Sequence, residues 1–322
     1  MRRTLIPVLL LACIAALPVN LASRATAGEI FVTNTYVGSI AEYTTSGTTV
    51  NVSLVHGLSE ATGLAVSGND LFVTNSGSTT VGEYTTSGAT VNASLITGLY
   101  DPDAIAISGN DLFVANSYSG TVGEYTLSGT TVNAALITGL HAPTGILVSG
   151  GDLFVTNNAN NAVNAGSVGE YTLSGATVNA SLIAGLFGPT GIAVSGGDLF
   201  ITCGIANTVS EYTTSGSVVS SSLTPNVQYP DSIAVSGGDL FITNAGNGTI
   251  GEYTTSGATV NASLVSGISL PEGIVVVATP EPSSLAMLAV GAAALLACGA
   301  RRRLRGHRGA LGQYSRLCRH RP

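Results

Sequence analysis

The chain has 322 residues, of which 9% are charged, 45% are hydrophobic and none is Trp. All 11 basic residues are Arg and lie near the ends, so residues 28–279 carry 17 carboxylates and no Lys or Arg. This charge balance excludes a nucleic-acid binder, which needs a basic surface, and argues against charge-driven attachment to anionic lipid.

The N-terminus has the pattern of a secretory signal. Two Arg residues precede an apolar run over residues 5–17, and Ala25 and Ala27 then form the small-x-small pattern that signal peptidase recognises. We predict that residues 1–27 are a signal peptide, cleaved just before Gly28. A lipoprotein site at Cys13 and an uncleaved anchor helix are the alternatives that this segment leaves open.

Residues 28–279 consist of one unit repeated six times. A segment like Asp70–Asn75 opens each copy, and a Glu-Tyr pair follows it. The copies begin at Glu29, Asp70, Asp111, Asp152, Asp198 and Asp239. Five extra residues in the fourth copy fall between Asn157 and Val168, so we expect them to lengthen a single loop.

Each copy predicts four short strands. In the second copy they cover Asp70–Asn75, Thr80–Thr85, Thr90–Ile96 and Ala104–Ser108, because β-branched and aromatic residues alternate with Gly-containing turns. A four-stranded repeat of about 40 residues is typical of a β-propeller blade.

A count of strands predicts how the ring closes. The first copy lacks the strand that precedes each of the others, and the last copy is followed by an unmatched strand, Gly273–Val277. We therefore predict an all-β fold. It is a six-bladed β-propeller of four-stranded antiparallel blades, closed by pairing of the C-terminal strand with the N-terminal blade. Closure of this kind removes exposed strand edges. A parallel β-helix is the alternative fold.

The repeats resemble NHL-type propeller repeats over nearly all of residues 28–279. The resemblance rests on Pro-x-Gly-Ile-x-Val-Ser followed by Asp-Leu-Phe-Val-Thr-Asn. The sequence has Asn, as at Asn75, where such repeats often have Asp, and Cys203 occupies this position in the fifth copy. Cys203 is the one cysteine of the predicted mature domain, so we expect no internal disulfide there and a buried thiol.

The candidate site is at the mouth of the propeller channel, where the blades differ. The loops that precede the innermost strands place there Thr62, Asp103, Thr144, Thr190, Asp231 and Glu272. Carboxylates about 8 Å apart would repel by roughly 2 kcal/mol per pair, and Ca²⁺ would relieve this repulsion. Asp103, Asp231 and Glu272 are therefore candidate metal ligands, and we expect no other cofactor. The alternative is a solvated mouth without an ion.

An enzyme is the second functional hypothesis. Resemblance to lactonase-like six-bladed propellers implies hydrolysis of lactones and a divalent ion at the channel, held by Glu, Asn and Asp ligands. Glu272, Asp103, Asp231 and Asn residues of this sequence supply those ligand types. The sequence offers little else for catalysis. His56 and His141 belong to no recognisable triad with a nucleophile, although His141 could reach the channel face, and no phosphate-binding loop or Cys/His zinc cluster is present. We therefore predict a non-catalytic protein.

The C-terminus has three parts in order. Pro280, Glu281 and Pro282 precede an apolar segment over residues 284–300, which would be about 25 Å long as a helix. A basic cluster follows, at Arg301, Arg302, Arg303, Arg305 and Arg308. Residues 280–308 resemble the PEP-CTERM sorting signal of Gram-negative bacteria, and residues 309–322 form a short tail beyond it. A plain tail anchor is the alternative.

The PEP-CTERM resemblance implies a destination and a processing enzyme. Exosortase, a membrane cysteine peptidase, would process the tail after the helix had passed transiently into the inner membrane with its Arg cluster in the cytoplasm. We predict an exported surface or extracellular-matrix propeller, associated with exopolysaccharide, that binds or acts as a scaffold.

Overall fold

The computed structural model describes residues 28–278, which form 24 β-strands and one short 3-10 helix, Ala159–Asn161. The strands of the first half are β1 (Glu29–Asn34), β2 (Ser39–Thr44), β3 (Thr49–His56), β4 (Ala61–Ser67), β5 (Asp70–Asn75), β6 (Thr80–Thr85), β7 (Thr90–Ile96), β8 (Pro102–Ser108), β9 (Asp111–Asn116), β10 (Thr121–Thr126), β11 (Thr131–Ile137) and β12 (Pro143–Ser149). Those of the second half are β13 (Asp152–Asn157), β14 (Gly166–Thr172), β15 (Thr177–Leu186), β16 (Pro189–Ser195), β17 (Asp198–Cys203), β18 (Thr208–Thr213), β19 (Val218–Ser220), β20 (Pro230–Ser236), β21 (Asp239–Asn244), β22 (Thr249–Thr254), β23 (Thr259–Ser266) and β24 (Pro271–Val277).

These strands build six antiparallel blades of four, so the predicted propeller is confirmed. Blade 1 has the order β24-β1-β2-β3, and blades 2 to 6 each use four consecutive strands. The closing strand pairs with the first strand along its length, for example at Ile30 opposite Val276. The five extra residues of blade 4 lie in the loop between β13 and β14, as expected.

The innermost strands begin earlier than the sequence predicted. β8 starts at Pro102 and β24 at Pro271, two residues before the predicted starts, because each Pro pairs with the Asn that ends the neighbouring strand. Proline is tolerated as the first residue of a strand, where its missing N–H breaks no ladder hydrogen bond.

The core consists of layers between adjacent blades. One layer joins Phe72 and Val81 of blade 2 to Leu112 and Tyr125 of blade 3, and the layer between blades 6 and 1 includes Tyr43. The repeated Tyr therefore packs against the preceding blade. Burial of these apolar side chains, at about 25 cal/mol per Å², is the main force that holds each blade to its neighbours.

The propeller has two faces of different construction. We call the hairpin face the side that carries the turns between the third and fourth strands of each blade and, in blades 2 to 6, the turns between the first and second strands. We call the mouth face the opposite side, where β1 ends at Asn34 and β24 begins at Pro271. The loops of the mouth face run from the second to the third strand and from each outer strand to the next blade.

The predicted signal peptide and the sorting signal lie outside the described residues. Within residues 28–278, no helix is long and apolar enough to cross a membrane. The domain limits remain predictions.

Candidate functional site at the channel mouth

A ring of threonines ties the blades together around the channel. Thr202, in the second strand of blade 5, accepts a hydrogen bond from the Gly191 N–H (2.7 Å) and donates one to the Asp231 carbonyl of blade 6 (2.7 Å). Equivalent hydroxyls bond to the next blade at Thr33, Thr74, Thr156 and Thr243. Ala115 occupies this position in blade 3, so the ring has one gap there.

The six predicted mouth positions lie near the starts of the innermost strands. Where the position is Thr, the hydroxyl bonds to a proline carbonyl of the next blade, as Thr62 does to Pro102 (3.0 Å) and Thr190 to Pro230 (2.9 Å). A carboxylate cannot donate this bond. Asp103, Asp231 and Glu272 are instead half-buried side chains of the channel mouth.

The channel holds a small cavity that both polar and apolar side chains line. Asp103 and Asp231 line a cavity of about 140 Å³, together with Thr62 and Thr144. Each blade adds one buried apolar residue to the lining: Leu64, Ile105, Ile146, Ile192, Ile233 and Ile274. Glu272 does not line this cavity. Burial in and beside this narrow cavity removes water from the carboxylates and disfavours their charged form.

Asp231 and Glu272 affect each other's protonation, so the two carboxyls titrate as a pair. Burial raises the pKa of Asp231 to about 6. Burial and then the charge of Asp231 raise the pKa of Glu272 to about 8, while a hydrogen bond from Thr35 acts in the opposite direction. At neutral pH the pair therefore holds about one proton, as two close carboxyls in a desolvated site do.

Asp103 completes the set from the other side of the channel. Blade 3, which carries it, lies opposite blade 6 in the ring. Burial, followed by the charges of Asp231, Glu272 and Asp101, holds the pKa of Asp103 well above its usual range. The three predicted carboxylates therefore share one electrostatic environment.

Sequence reasoning missed Tyr229, which lies beside the carboxyl pair. Burial and then the charges of Asp231 and Glu272 raise the pKa of Tyr229. Its backbone has a φ of 46°, and its N–H donates a 2.6 Å hydrogen bond to the side chain of Asn207. The available signal was its place directly before Pro230, a position where every blade has a different residue.

The metal prediction gains no direct support from this geometry. Within residues 28–278, no group of three or more His, Cys, Asp or Glu side chains lies close enough to hold a metal ion. Binding of Ca²⁺ by Asp103, Asp231 and Glu272 remains a prediction.

Cys203 is buried, as expected, and is a free thiol. Burial raises the pKa of Cys203 to about 11, and hydrogen bonds with Thr208 and the Phe187 backbone oppose this shift. In three other blades, an Asn at this position accepts the equivalent backbone bond, as Asn244 does from Gln228 (3.2 Å). The thiol thus occupies a structural position and is not activated for nucleophilic chemistry.

Comparison with known families agrees with the geometry. Residues 12–289 match the virginiamycin B lyase family. The chain belongs to this family. The match confirms the NHL-like propeller resemblance, and no curated protein is significantly similar to the chain.

Several solved structures share the fold. A chain of a nidogen/laminin complex aligns with a TM-score of 0.68 at 17% identity, over 78% of this chain and 98% of that one. A streptogramin B lyase aligns with a TM-score of 0.58 at 24% identity, over 77% and 83%. The virginiamycin B lyase of Staphylococcus aureus gives 0.55 at 23% identity, over 77% and 85%. At these identities the likeness establishes the propeller fold alone.

The PEP-CTERM resemblance of the C-terminus is also confirmed. Residues 278–303 match the PEP-CTERM protein-sorting motif. This motif implies processing by exosortase and indicates an exported protein of the Gram-negative cell envelope.

Proposed function

We propose that the protein is an exported, non-catalytic propeller that binds or scaffolds exopolysaccharide at the cell surface or in the extracellular matrix. One observation carries the proposal. The hairpin face repeats nearly the same residues in every blade, whereas the mouth face differs from blade to blade and holds every Tyr of residues 28–278 outside the Glu-Tyr pairs. These four are Tyr36, Tyr100, Tyr118 and Tyr229, which are 83%, 62%, 84% and 44% exposed.

Exposed tyrosines suit a binding surface. Their rings offer large, rigid contact areas at low entropic cost, and their hydroxyls can hydrogen-bond. The channel itself is a poor place for a substrate, because its cavity of about 140 Å³ is smaller than the roughly 300–1,000 Å³ of common ligand pockets.

Localisation provides the first test. The intact mass and location of the native protein would be measured in cells with and without exosortase. We expect a mature start at Gly28 and loss of the tail near Pro282, both in the wild type, with tail loss dependent on exosortase. An unprocessed tail that remains in the membrane would contradict the matrix role.

Binding provides the second test. Matrix polysaccharide from the same cells should retain the protein in a pull-down, and replacement of Tyr36, Tyr100, Tyr118 and Tyr229 by Ser should abolish retention. A matched control replaces four exposed outer-strand valines by Thr, namely Val50, Val91, Val132 and Val178, each 53–54% exposed. Retention that survives loss of the tyrosines, or that is lost equally in the control, would contradict binding through the mouth face.

An enzyme is the second candidate, favoured by the shared proton of Asp231 and Glu272 and by family membership. A carboxyl pair with separated pKa values can supply an acid and a base. A lactonase-like hydrolase, or a lyase of the kind for which the family is named, would turn over lactones or streptogramins. Such turnover, lost in Glu272→Gln and Asp231→Asn, would establish the enzyme and overturn the non-catalytic proposal.

A further inference from the structure

A cleft crosses the rim of the mouth face at blades 2 to 4, away from the channel. It consists of two adjoining cavities of about 470 and 410 Å³ that share Asp101 and Tyr118. Tyr100 lines the first, and His141 and Asn160 line the second. We call this surface the rim cleft. Each cavity alone falls within the range of common ligand pockets, about 300–1,000 Å³.

The backbone holds the rim cleft in place. The Asp101 carbonyl accepts a hydrogen bond from the Ser117 N–H (2.9 Å), and the His141 carbonyl accepts one from the Ala159 N–H (2.9 Å). The Tyr100 N–H donates to the Asn116 side chain (3.4 Å). Because these bonds anchor the loops to strand ends, the side chains that line the cleft are presented without a folding step.

The lining chemistry suits a sugar ring. Tyr118 and Tyr100 present flat, exposed ring faces, and a pyranose has an apolar C–H face that can stack on them. Asp101 and His141 are exposed beside these rings, as is Asn160, and can bond to hydroxyl or amino groups at the sugar edge. Aromatic rings flanked by polar groups distinguish this cleft from the channel cavity, which no aromatic side chain lines.

Charge narrows the class of sugar. The described residues have 17 carboxylates and no Lys or Arg to bind a uronate or sulfate group. The negative potential of these carboxylates would repel an anionic polysaccharide. A cationic group would be attracted by that potential, by the Asp101 carboxylate and by the ring faces of the two tyrosines. We propose that the rim cleft binds a polysaccharide that contains unacetylated amino sugars. This inference rests on the proposed function and adds to it a site and a ligand class.

The test uses a β-1,4-linked glucosamine hexamer as probe, titrated into the exported protein by calorimetry at a mildly acidic pH. Its N-acetylated counterpart and a uronic acid hexamer serve as comparison ligands. We expect the glucosamine hexamer to bind, the N-acetylated hexamer to bind at least about tenfold more weakly, and the uronate not to bind.

Two matched pairs of variants locate the binding. Tyr118→Ala and Asp101→Asn should each weaken affinity about tenfold. Val52→Ala, which truncates a 62% exposed side chain on the outer strand of blade 1, should leave the affinity unchanged. Glu60→Gln, at the position in blade 2 that Asp101 occupies in blade 3, should leave it unchanged too. Circular dichroism confirms that each variant is folded.

The outcomes separate the inference from the proposed function. Binding of matrix polysaccharide that both Tyr118→Ala and Asp101→Asn leave intact would overturn the site alone. Equal affinity for the acetylated hexamer would overturn the amino-sugar class, and equal affinity for a lysine hexapeptide would show that the cleft binds positive charge only. Failure of every polysaccharide to bind would overturn the proposed function as well.

Discussion

The hairpin face and the mouth face are made by the same six blades, but different constraints act on their sequences. On the hairpin face, each turn between the third and outer strands has a Gly at a φ between 80° and 87°, packed on a leucine of the preceding blade. These six glycines are Gly47, Gly88, Gly129, Gly175, Gly216 and Gly257. On the mouth face, residues at equivalent positions differ, as Glu60, Asp101, Ala142, Gly188, Tyr229 and Leu270 show.

The difference shows where sequence is free to vary. A hairpin that must touch its neighbour backbone to backbone accepts only a residue without Cβ, so repetition there follows from packing. The mouth positions adopt positive φ with six different residues, at an expected cost of about 1–2 kcal/mol each for the non-glycines. Variation that the fold tolerates at such a cost is what a binding surface needs.

We expect the largest effect on stability from a substitution of one of the repeated glycines of the hairpin face. In Gly88→Ala, the new Cβ would overlap the Leu54 carbonyl oxygen of blade 1, whereas in Gly68→Ala, also at positive φ, it would meet open space. We expect losses in the free energy of unfolding of about 2–4 and about 1 kcal/mol, respectively. Urea denaturation measures both. Equal losses would mean that φ alone, and not the interblade contact, fixes this glycine.

The threonine ring gives the next effect. Thr202→Val leaves the Gly191 N–H and the Asp231 carbonyl without their partner, and we expect a loss of about 1–3 kcal/mol. Ala115→Thr should fill the gap in blade 3 and gain about 1 kcal/mol. Thermal denaturation measures both variants.

The substitution Ala115→Thr tests whether blade 3 can accept a threonine hydroxyl at this position. Blade 3 has Ala104 where blade 5 has Gly191, but Ser232 takes this place in blade 6 and still donates its N–H to Thr243 (2.8 Å). A side chain there is therefore compatible with the bond. Destabilisation by Ala115→Thr would show that blade 3 is packed differently.

Sequence periodicity predicted what the blades share. The 41-residue spacing predicted the strands, and the unmatched segment that begins at Gly273 predicted the closure, because a propeller must give every blade four strands. Periodicity also predicted that Asp103, Asp231 and Glu272 lie at the channel mouth, because each occupies the same position in its repeat. The early start of β8 at Pro102 escaped it, since proline is usually a sign of a loop.

The features that the sequence did not predict are sites formed by residues from different blades. The carboxyl pair joins Asp231 of blade 6 to Glu272 of blade 1, and Tyr229 lies beside it from the loop between blades 5 and 6. The rim cleft joins Tyr118 to His141 in the same way. Periodicity draws attention to what recurs, whereas these sites are formed by residues that occur once.

The pH dependence of stability tests the contribution of the two mouth-face carboxyls, Asp231 and Glu272. The unfolded pKa values of Asp231 and Glu272 lie near 4, and the folded values are about 6 and about 8. The folded chain therefore binds more protons between these limits, and the free energy of unfolding falls as pH rises from about 4 to about 8. We expect Tm to drop by a few degrees over this window.

The double variant Asp231→Asn, Glu272→Gln isolates this contribution. Its Tm should change less with pH than that of the wild type between about pH 5 and 8, because its amides do not titrate. The repeated carboxyls of the hairpin face, such as Glu83 beside Asp70, have raised pKa values too, and they remain in both proteins. Parallel curves for the two proteins would contradict a shared proton at the mouth.

Calcium should give the smallest effect. Within residues 28–278, no three carboxylates lie close enough to coordinate an ion together, so we expect Ca²⁺ to act mainly by easing the repulsion between Asp231, Glu272 and Asp103. At pH 8, where this repulsion is greatest, we expect a rise in Tm of about 1–3 °C, absent from the double variant. A Tm unchanged to within about one degree would remove the metal prediction. A rise well above about 5 °C would mean that the carboxylates rearrange to coordinate the ion, and the channel would then become the stronger candidate for chemistry.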